Sequence, residues 1–336
     1  MSRRFVIIAS VFASACTLQR VQSTSSSVVD DHMAHMSAAD MRAPVISHSS
    51  PAQQGTAGLP ASASTAAARI AASPRHAEWV KIAWEPGSKD SLMAWIVYPV
   101  SRTKAPVVVV IHEIFGLSTW VRGVADQVAA DGFIAIAPDF VSRVRGGPST
   151  EELSSEAARG MIGGVDVAER NRAIVAAANY AMMQPSADQK YAVIGYCWGG
   201  GTVFSHAING GVKGFSGGVA FYGTPPTSGG GRATATTPAM PVSVVVDSVA
   251  KIKVPTMLLS GTGDARITAV MPALDSVMKR LGKDYSGTNY EGAIHGFLRA
   301  QDDAGAPAAQ QAANLAATKD AWPKTIAFLK KNLGVK

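Results

Sequence analysis

The segment around Cys197 constrains the fold of this chain more than any other part of the sequence. It reads Tyr-Ala-Val-Ile-Gly-Tyr-Cys-Trp-Gly-Gly-Gly over residues 191–201, so an apolar run of strand length ends in a G-x-C-x-G-G pattern. Residues 202–208, which follow directly, favour a helix. A turn this tight strains the backbone of the residue at its tip, and small neighbours must make room for its Cβ atom. The pattern therefore predicts a strand, a sharp turn with Cys197 at its tip, and a helix.

Continuous apolar runs alternate with helix-length segments along much of the chain. Helices are predicted over Ser118 to Asp131 and Ala168 to Met183. The apolar runs that predict buried strands span residues 107–111, 133–137, 191–196, 218–222 and 255–260, and a further strand is predicted over 284–291. Strands that are apolar throughout, with helices between them, indicate a mostly parallel sheet covered by helices on both faces. The predicted fold class is therefore α/β.

The two ends of this region carry different patterns. Trp79 to Trp84 alternates apolar and polar residues, and Leu92 to Tyr98 resumes an extended run after a turn, which predicts a β-hairpin. Asp320 to Leu333 predicts a closing helix, in which Pro323 lies in the first turn or kinks the helix. One domain over residues 76–336 accommodates all of these elements.

The amino terminus has the features of a secretory signal. Arg3 and Arg4 give it positive charge, the apolar stretch from Phe5 to Ala13 is too short to span a membrane, and an Ala-Ser-Ala sequence ends at residue 15. We expect residues 1–15 to be a signal peptide and the protein to be exported, to the periplasm or beyond the cell. Cys16 directly follows the expected cleavage site and is a candidate for a lipid anchor. The alternative is a disordered terminus that is apolar by chance.

Residues 16–75 are expected to form an unstructured tether. Gln22 to Ser73 is rich in Ser, Ala, Thr and Gly and has no helical or strand period, so it cannot offset the entropy of ordering. The Asp-His-Met-Ala-His-Met run at residues 31–36 could bind a soft metal ion, although a polar spacer is the interpretation that we favour. Cys16 and Cys197 are the two cysteines of the sequence, so we expect no internal disulfide in the mature domain.

The charge of the chain argues against a nucleic acid partner. The 336 residues include 31 Lys and Arg and 24 Asp and Glu, a formal net charge of +7, but the basic residues are scattered and do not alternate with aromatic ones. The predicted domain also has no metal-ligand cluster and no dinucleotide-binding glycine pattern. We therefore expect neither a metal nor an organic cofactor, and the sequence gives no sign of an obligate protein partner.

The predicted turn makes Cys197 a candidate nucleophile. The amino terminus of the helix behind it stabilises a thiolate. The alternative interpretation is a buried structural cysteine, which is a common fate of a free thiol. Gly214 to Gly218 matches the related G-x-S-x-G pattern, but it precedes an apolar strand and no helix follows it, so Ser216 is expected to lie in a loop without a catalytic role.

A nucleophile of this kind needs an acid and a histidine from loops that follow later strands, in that chain order. Asp264 comes directly after the apolar run 255–260, and His295 follows the last predicted strand. Asp275 is the nearest rival to Asp264, but it falls inside a predicted helix. His112 ends a strand and could line the site, whereas His206 lies in the helix after the turn and is expected to be structural.

Several short motifs together resemble the dienelactone hydrolases, also called carboxymethylenebutenolidases, of the α/β-hydrolase superfamily. The resemblance covers residues 79–333. It is carried by His-Glu-Ile-Phe-Gly at 112–116, Pro-Asp at 138–139, Gly-Tyr-Cys-Trp-Gly-Gly at 195–200, Phe-Tyr-Gly at 221–223, Gly-Asp at 263–264 and His-Gly-Phe at 295–297. It implies an α/β-hydrolase fold and a carboxylic ester hydrolase.

The resemblance also implies roles for residues around the nucleophile. Glu113 matches a glutamate that contacts the resting thiol and helps to generate the thiolate. The backbone amides of Ile114 and Trp198 match the oxyanion hole. Arg299 and Arg143 match two arginines that hold the carboxylate of the substrate, a role that suits the planar guanidinium fork.

Competing interpretations and departures from the family pattern accompany these roles. Arg145 is a nearby competitor for the role of Arg143, and either arginine could instead be an exposed solubilising charge. His112 stands where glutamine is common, Trp198 is bulkier than the usual residue after the nucleophile, and Thr224 to Ser243 is an unusually long loop that could form a rim or lid.

Together these observations predict an exported hydrolase that cleaves a small ester or lactone through a triad of Cys197, His295 and Asp264 and a thioester intermediate. Its expected partner is a small-molecule substrate, which could carry a carboxylate. Two alternatives remain open. The same triad could hydrolyse thioesters or peptides, or the domain could bind a small carboxylate without turning it over.

Overall fold

The structure, a computed structural model, describes residues 55–335 apart from residues 86, 102, 152 and 231–239. The predicted signal peptide, Cys16, the metal-binding candidate at 31–36 and most of the predicted tether lie outside the described residues. No helix among the described residues has the length and apolar character needed to cross a membrane.

A central sheet of eight strands organises the described part of the chain. The strands of the described residues are β1 (Ala77–Ala83), β2 (Ser91–Val97), β3 (Ala105–Ile111), β4 (Ile134–Pro138), β5 (Ala187–Tyr196), β6 (Phe215–Phe221), β7 (Thr227–Gly230), β8 (Met240–Val244), β9 (Thr256–Gly261) and β10 (Tyr285–Tyr290). The order in the large sheet is β1-β2-β4-β3-β5-β6-β9-β10. Strand β2 is antiparallel to both of its neighbours, and the strands from β4 to β10 in that order pair in parallel. This confirms the predicted hairpin and the mostly parallel sheet.

Helices precede, connect and follow the strands and pack on the sheet. They are α1 (Ala66–Ala71), α2 (Thr119–Ala130), α3 (Ser142–Arg145), α4 (Ser155–Gly163), α5 (Val167–Met182), α6 (Trp198–Asn209), α7 (Val246–Lys251), α8 (Ala265–Arg280) and α9 (Ala308–Leu333). Every residue of β3 and β4 is buried. Since side chains alternate between the two faces of a strand, both faces of the sheet are covered at its centre.

The parallel arrangement brings several chain segments to one edge of the sheet. The carboxyl ends of β3, β5, β6 and β9 lead directly into residues 112, 197, 222 and 262. Helix α5 leads back to the start of β5, so its own first turn lies at this same edge. In open α/β sheets this edge is where ligands bind.

The segment from residue 55 to residue 75 differs from the sequence prediction. Leu59, Ala61 and Ala66 are buried, and the Nε1–H of Trp120 in α2 donates a 3.0 Å hydrogen bond to the carbonyl of Ala61. Helix α1 packs on α2 at Gly123, where an added Cβ would lie 3.2 Å from that of Ala66. The prediction of an unstructured tether is therefore wrong for these residues, because small side chains that gave no periodic signal allow close packing against α2.

Two further elements depart from the sequence predictions. Helix α9 begins at Ala308 rather than near Asp320, and Pro323 lies in its interior instead of its first turn. The helix continues through the proline because Ala321, Trp322 and other side chains of one face are buried in the core. The segment predicted as a long loop from Thr224 to Ser243 includes β7 and most of β8, which form a separate antiparallel ribbon.

Candidate active site

The turn at Cys197 has the strained geometry that its glycines predict. Cys197 has φ 57° and ψ −118° and stands between the end of β5 and the first residue of α6. A Cβ atom at Gly195 would collide with the carbonyl of Gly199, and one at Gly199 would lie 2.6 Å from the carbonyl oxygen of His112. The two glycines therefore let the strand, the helix and the β3 loop approach one another. The free thiol at the tip is buried, with 1% of the residue exposed.

His295 and Asp264 meet at this edge although 31 positions separate them. The Nδ1–H of His295 donates to Oδ2 of Asp264 at 2.6 Å, and both side chains are buried. Asp264 also caps α8, since its Oδ1 accepts a 3.4 Å hydrogen bond from the amide of Ile267. Cys197 interacts electrostatically with His295. The structure thus brings the three residues of the predicted triad together.

Charge within this group favours a protonated histidine. Burial opposes a positive charge on His295, but the charges of Cys197 and Asp264 and the hydrogen bond to Asp264 raise its pKa well above the usual value. Burial would raise the pKa of Asp264, yet the neighbouring charge and hydrogen bond of His295 lower it. These shifts favour an imidazolium beside a carboxylate in a buried site, and such a pair can stabilise a thiolate next to it.

The predicted glutamate and one predicted arginine form a second buried pair. The Nε–H of Arg299 donates to Oε2 of Glu113 at 2.8 Å, with 6% and 2% of the two side chains exposed. Burial lowers the pKa of Arg299, but the charges of Glu113, Tyr222 and Cys197 and the hydrogen bond to Glu113 together outweigh it, so the net shift is upward. The guanidinium also lies over the ring of Phe115 at 5.3 Å. The resemblance implies a contact between Glu113 and the resting thiol, and the hydrogen-bond partner found here is Arg299.

The loop after β3 holds the candidate oxyanion hole. The Nδ1–H of His112 donates to the carbonyl of Glu113 at 2.6 Å, and its Nε2 accepts from the amide of Phe140 at 3.2 Å. Burial lowers the pKa of His112 to about 4, which keeps the ring neutral and able to make both bonds. Because a trans peptide points its C=O and N–H in opposite directions, the first bond fixes the direction of the Ile114 amide.

Both candidate oxyanion donors are available for a ligand. Neither the amide of Ile114 nor that of Trp198 donates to an acceptor within the described part of the chain. The indole of Trp198 stacks on His112 at 5.8 Å with an interplanar angle of 14°, and Phe140 packs edge-on against both rings. This aromatic cluster fixes the bulky residue that follows the nucleophile.

Arg143 lies in ion pairs with residues of this chain rather than with the residues around Cys197. Its Nη1 is 2.9 Å from Glu169 and its Nε is 3.7 Å from Asp90, and 40% of its side chain is exposed. Arg145 donates to the carbonyl of Pro148. The role of Arg143 in substrate binding stays a prediction, with two acidic partners already beside its guanidinium.

The residues that sequence reasoning set aside have structural partners. His206 bonds to the hydroxyl of Tyr191 at 2.9 Å and to Oδ1 of Asn171 at 2.6 Å. Ser216 lies in β6 rather than in a loop, because the strand formed by the apolar residues after it begins earlier, at Phe215. It is next to Phe215, which pairs with Tyr191, and so lies near the amino end of β6. Cys197 follows the carboxyl end of β5. Asp275 lies in α8 against Tyr285.

Sequence reasoning missed two residues of this region. Tyr222 has φ 39° and places its buried ring 5.0 Å from that of His295. Arg170 lies in the first turn of α5 with 6% of its surface exposed, and its guanidinium carbon is 4.8 Å from the centre of the Trp198 ring. A signal for Arg170 was present in the sequence, because it opens the buried stripe of α5, whose other members are apolar.

Comparison with known proteins places this geometry in a family. The sequence model of the dienelactone hydrolase family matches residues 92–333. The chain belongs to the dienelactone hydrolase family. It is therefore a hydrolase of this kind with an α/β-hydrolase fold, as the motifs predicted.

Individual relatives agree with the family assignment. The chain is 34% identical over 115 residues to the carboxymethylenebutenolidase of Pseudomonas sp. strain P51, which covers 33% of this chain and 48% of that enzyme. A Synechocystis protein provisionally named a carboxymethylenebutenolidase is 29% identical over 245 residues, covering 71% of this chain and 91% of its own. Among solved structures, a dienelactone hydrolase-like promiscuous phosphotriesterase, P91, from metagenomic libraries has the same fold, with a TM-score of 0.56, 23% identity and coverage of 76% and 98%.

Proposed function

We propose that this dienelactone hydrolase family member cleaves a small ester or lactone through a thioester on Cys197. One observation carries the proposal. The imidazole of His295 is held by Asp264 at 2.6 Å and interacts electrostatically with Cys197, which stands at the tip of a strained turn. A nucleophile, a base within reach and a group that orients the base are the parts that acyl transfer requires.

In the first half of the reaction, the thiolate of Cys197 attacks the carbonyl carbon of the substrate. The carbonyl oxygen gains negative charge, which the amides of Ile114 and Trp198 stabilise. When the intermediate collapses, the bond from carbon to the alcohol oxygen breaks, and His295 gives its proton to that oxygen. In a lactone the released alcohol remains part of the acyl group that is now bound to sulfur.

In the second half, neutral His295 takes a proton from water, and the resulting hydroxide attacks the thioester carbon. The bond from carbon to sulfur breaks, and the thiolate returns beside an imidazolium held by Asp264. The paired Glu113 and Arg299 support formation of the thiolate, because Arg299 places a positive charge near the sulfur and Glu113 holds it there.

A small lactone or ester is the substrate class that we favour. The name of the Pseudomonas relative points to a lactone, although the chain matches less than half of that enzyme. Activity toward a lactone, an aryl ester, a thioester and a peptide should be measured in parallel. Exclusive cleavage of the peptide would contradict the proposal.

A Cys197→Ala variant tests the mechanism. We expect wild-type protein to release a burst of product from an activated aryl ester and to gain the mass of one acyl group, and the variant to do neither. Ser216→Ala is the matched control and should behave as wild type, since Ser216 lies at the other end of the sheet. If Cys197→Ala keeps its activity, or if wild-type Cys197 resists iodoacetamide at neutral pH and shows no burst, the proposal is wrong.

We also propose that the enzyme is exported. The charge, apolar length and small residues of positions 1–15 support a signal peptide, and Cys16 supports a lipid anchor as one form of the mature terminus.

A further inference from the structure

Asp139 is a fully buried carboxylate directly after β4. Its Oδ2 accepts a 2.6 Å hydrogen bond from the amide of Ser149, and its Oδ1 accepts from the hydroxyl of Ser149 at 3.1 Å. The amide of Val141 also donates to Oδ1, at 3.3 Å. Arg145 contributes positive charge without a hydrogen bond to the carboxylate. The carboxylate therefore fastens both ends of the segment 141–149 to the end of β4.

A carboxylate at this position is costly for the folded protein. Burial raises the pKa of Asp139 to about 6, although the hydrogen bonds of Ser149 and Val141 and the charge of Arg145 lower it. A buried charge that is not bonded to a cation adds little to stability. A buried ionic group can instead fix one arrangement of the chain around it. The arrangement fixed by Asp139 is the one that carries Phe140.

Phe140 contacts both halves of the candidate oxyanion hole. Its amide donates at 3.2 Å to Nε2 of His112, the histidine that fixes the direction of the Ile114 amide. Its ring packs edge-on against the indole of Trp198, with the ring centres 5.3 Å apart. A shift of Phe140 would therefore disturb both candidate oxyanion donors.

The two residues that are bonded to the carboxylate also pack on the loop after β3, residues 112–116. A Cβ atom at Gly116 would lie 3.2 Å from Oγ of Ser149 and 3.5 Å from Cγ2 of Val141. Gly116 has φ 74°, so a side chain there would be strained as well as crowded. Ile114 thus lies between two contacts of this loop with the segment 139–149, one on each side.

We propose that Asp139 is a positioning residue for the oxyanion hole. Its carboxylate holds the segment 139–149 against the loop 112–116, and this fixes the directions of the Ile114 and Trp198 amides before a substrate arrives. The inference rests on the proposed function, in which those amides stabilise the oxyanion. Misplacement of a catalytic group by about 1 Å can lower a rate about 100-fold, so a residue that never touches the substrate can control kcat.

Asp139→Asn tests the inference. Asparagine keeps the size of the carboxylate, but its amide group places a donor against the donors of Ser149 or Val141. Hydrolysis of 4-nitrophenyl butyrate should be measured at about pH 8, well above the pKa of Asp139 in the wild type. We expect kcat to fall at least about tenfold and KM to change by less than about twofold. An unchanged kcat, or a change in KM alone, overturns the inference.

Alkylation of Cys197 by iodoacetamide is the second measurement. The sulfur forms a bond to a saturated carbon as iodide leaves, so the reaction needs the thiolate but forms no oxyanion. The alkylation rate constant of Asp139→Asn should stay within about twofold of wild type, because the triad is intact. If alkylation and kcat fall by the same factor, Asp139 supports the whole site rather than the oxyanion hole, and the inference is wrong.

Ser149→Ala provides a milder variant if Asp139→Asn does not fold. It removes the hydroxyl bond at 3.1 Å and keeps the amide bond, so kcat should fall less, by about two- to fivefold, with the alkylation rate unchanged. An unchanged kcat in this variant also counts against the role of Asp139.

Asp131→Asn is the matched control. Burial raises the pKa of Asp131 too, and its carboxylate accepts from the indole of Trp322 at 3.0 Å and from Gln127 at 3.2 Å. It follows α2, which leads back to the start of β4 and so to the opposite edge of the sheet. The variant should keep kcat within about twofold of wild type. A loss of kcat equal to that of Asp139→Asn would mean that loss of any buried carboxylate impairs the site, and the inference would fail.

Failure of the inference and failure of the proposed function give different results. If Cys197→Ala keeps its esterase activity, the proposed function fails and the inference fails with it. If Cys197→Ala is inactive while Asp139→Asn keeps the kcat of wild type, the inference alone is wrong.

Discussion

At the scale of single residues, the site depends on two histidines in opposite states. His295 lies between a thiol and a carboxylate that together raise its pKa, whereas burial among apolar groups lowers the pKa of His112 to about 4. The first can move a proton, and the second, being neutral, can donate from one nitrogen and accept at the other. Each state follows from what lies within hydrogen-bond distance of the ring.

His112→Ala is expected to damage catalysis more than substrate binding. It leaves the carbonyl of Glu113 and the amide of Phe140 without their partner, so the Ile114 amide is no longer held toward the oxyanion. We expect kcat to fall roughly 10- to 100-fold with little change in KM, and stability to fall by about 1–3 kcal/mol. Steady-state kinetics and urea unfolding measure the two effects.

His206→Ala is the control for that loss of stability. His206 is also buried, with a pKa lowered by burial to about 4, but it bonds to Tyr191 and Asn171 away from the nucleophile. It should lower stability and leave kcat near that of wild type. Equal losses of kcat in the two variants would mean that His112 acts only through stability.

Asp264→Asn isolates the charge of the acid, because asparagine caps a helix about as well as aspartate. We expect the rate to fall about 10³-fold or more. The folded-state pKa of His295 is raised, so its contribution to stability is complete below the unfolded value near 6.5 and is lost as pH rises through the folded value. The variant should therefore be most destabilised relative to wild type at about pH 5–6.5. Urea unfolding should show that the difference in free energy of unfolding between the two proteins becomes smaller at higher pH. A constant difference would mean that the charge of Asp264 does not set the pKa of His295.

The chain order of Cys197, Asp264 and His295 could be predicted from sequence because each follows a strand that is apolar enough to recognise. The ring contacts of Arg170 and Tyr222 could not be predicted, since they join helices or loops that are remote in sequence. The pairing of Glu113 with Arg299 could not be predicted either, because the two residues lie 186 positions apart in the sequence.

At the scale of secondary structure elements, the segment 55–75 is tied to the loop that follows His295. The amide of Ala63 donates to the carbonyl of Arg299 at 3.0 Å, and the hydroxyl of Ser62 donates to Asp302 at 2.8 Å. Gln301 donates to the carbonyl of Pro60 at 3.0 Å. A segment that looks like a spacer in the sequence therefore supports the loop of the catalytic candidate.

A chain that begins at residue 76 should be less stable and less active than one that begins at residue 55. Loss of residues 55–75 exposes α2 around Trp120 and removes the buried side chain of Leu59. We expect the free energy of unfolding to fall by at least about 2 kcal/mol as a result. We also expect a lower kcat, because the loop after His295 loses its contacts. Urea unfolding and ester hydrolysis by the two chains measure both effects, and equal stability would contradict the packing described here.

Element prediction succeeded where burial creates a long apolar pattern and failed where it does not. The strands from β3 to β9 in the large sheet are such patterns, and the hairpin of β1 and β2 alternates clearly. Helix α1 is built largely of alanine, and the first half of α9 is rich in Ala and Gln, so neither has an apolar stripe that marks its start.

At the scale of the whole molecule, the architecture brings residues that are distant in sequence into one site, and the proposed export makes a prediction of its own. Export predicts that the protein in its host starts at or near residue 16 and is found outside the cytoplasm. Mass spectrometry of membrane and soluble fractions would show either a diacylglycerol-modified Cys16 or an unmodified amino terminus left by cleavage of the signal peptide. An intact residue 1 in the cytoplasmic fraction alone would contradict export.

The solitary thiol of the folded domain has a chemical consequence. Beyond Cys16, the sequence holds no sulfhydryl other than that of Cys197. Oxidation of Cys197 to a sulfenic acid would thus meet no resolving cysteine within the domain, and no internal disulfide could protect it from further, irreversible oxidation. Recovery of activity after peroxide would depend on an external reductant small enough to reach a sulfur that is almost wholly enclosed.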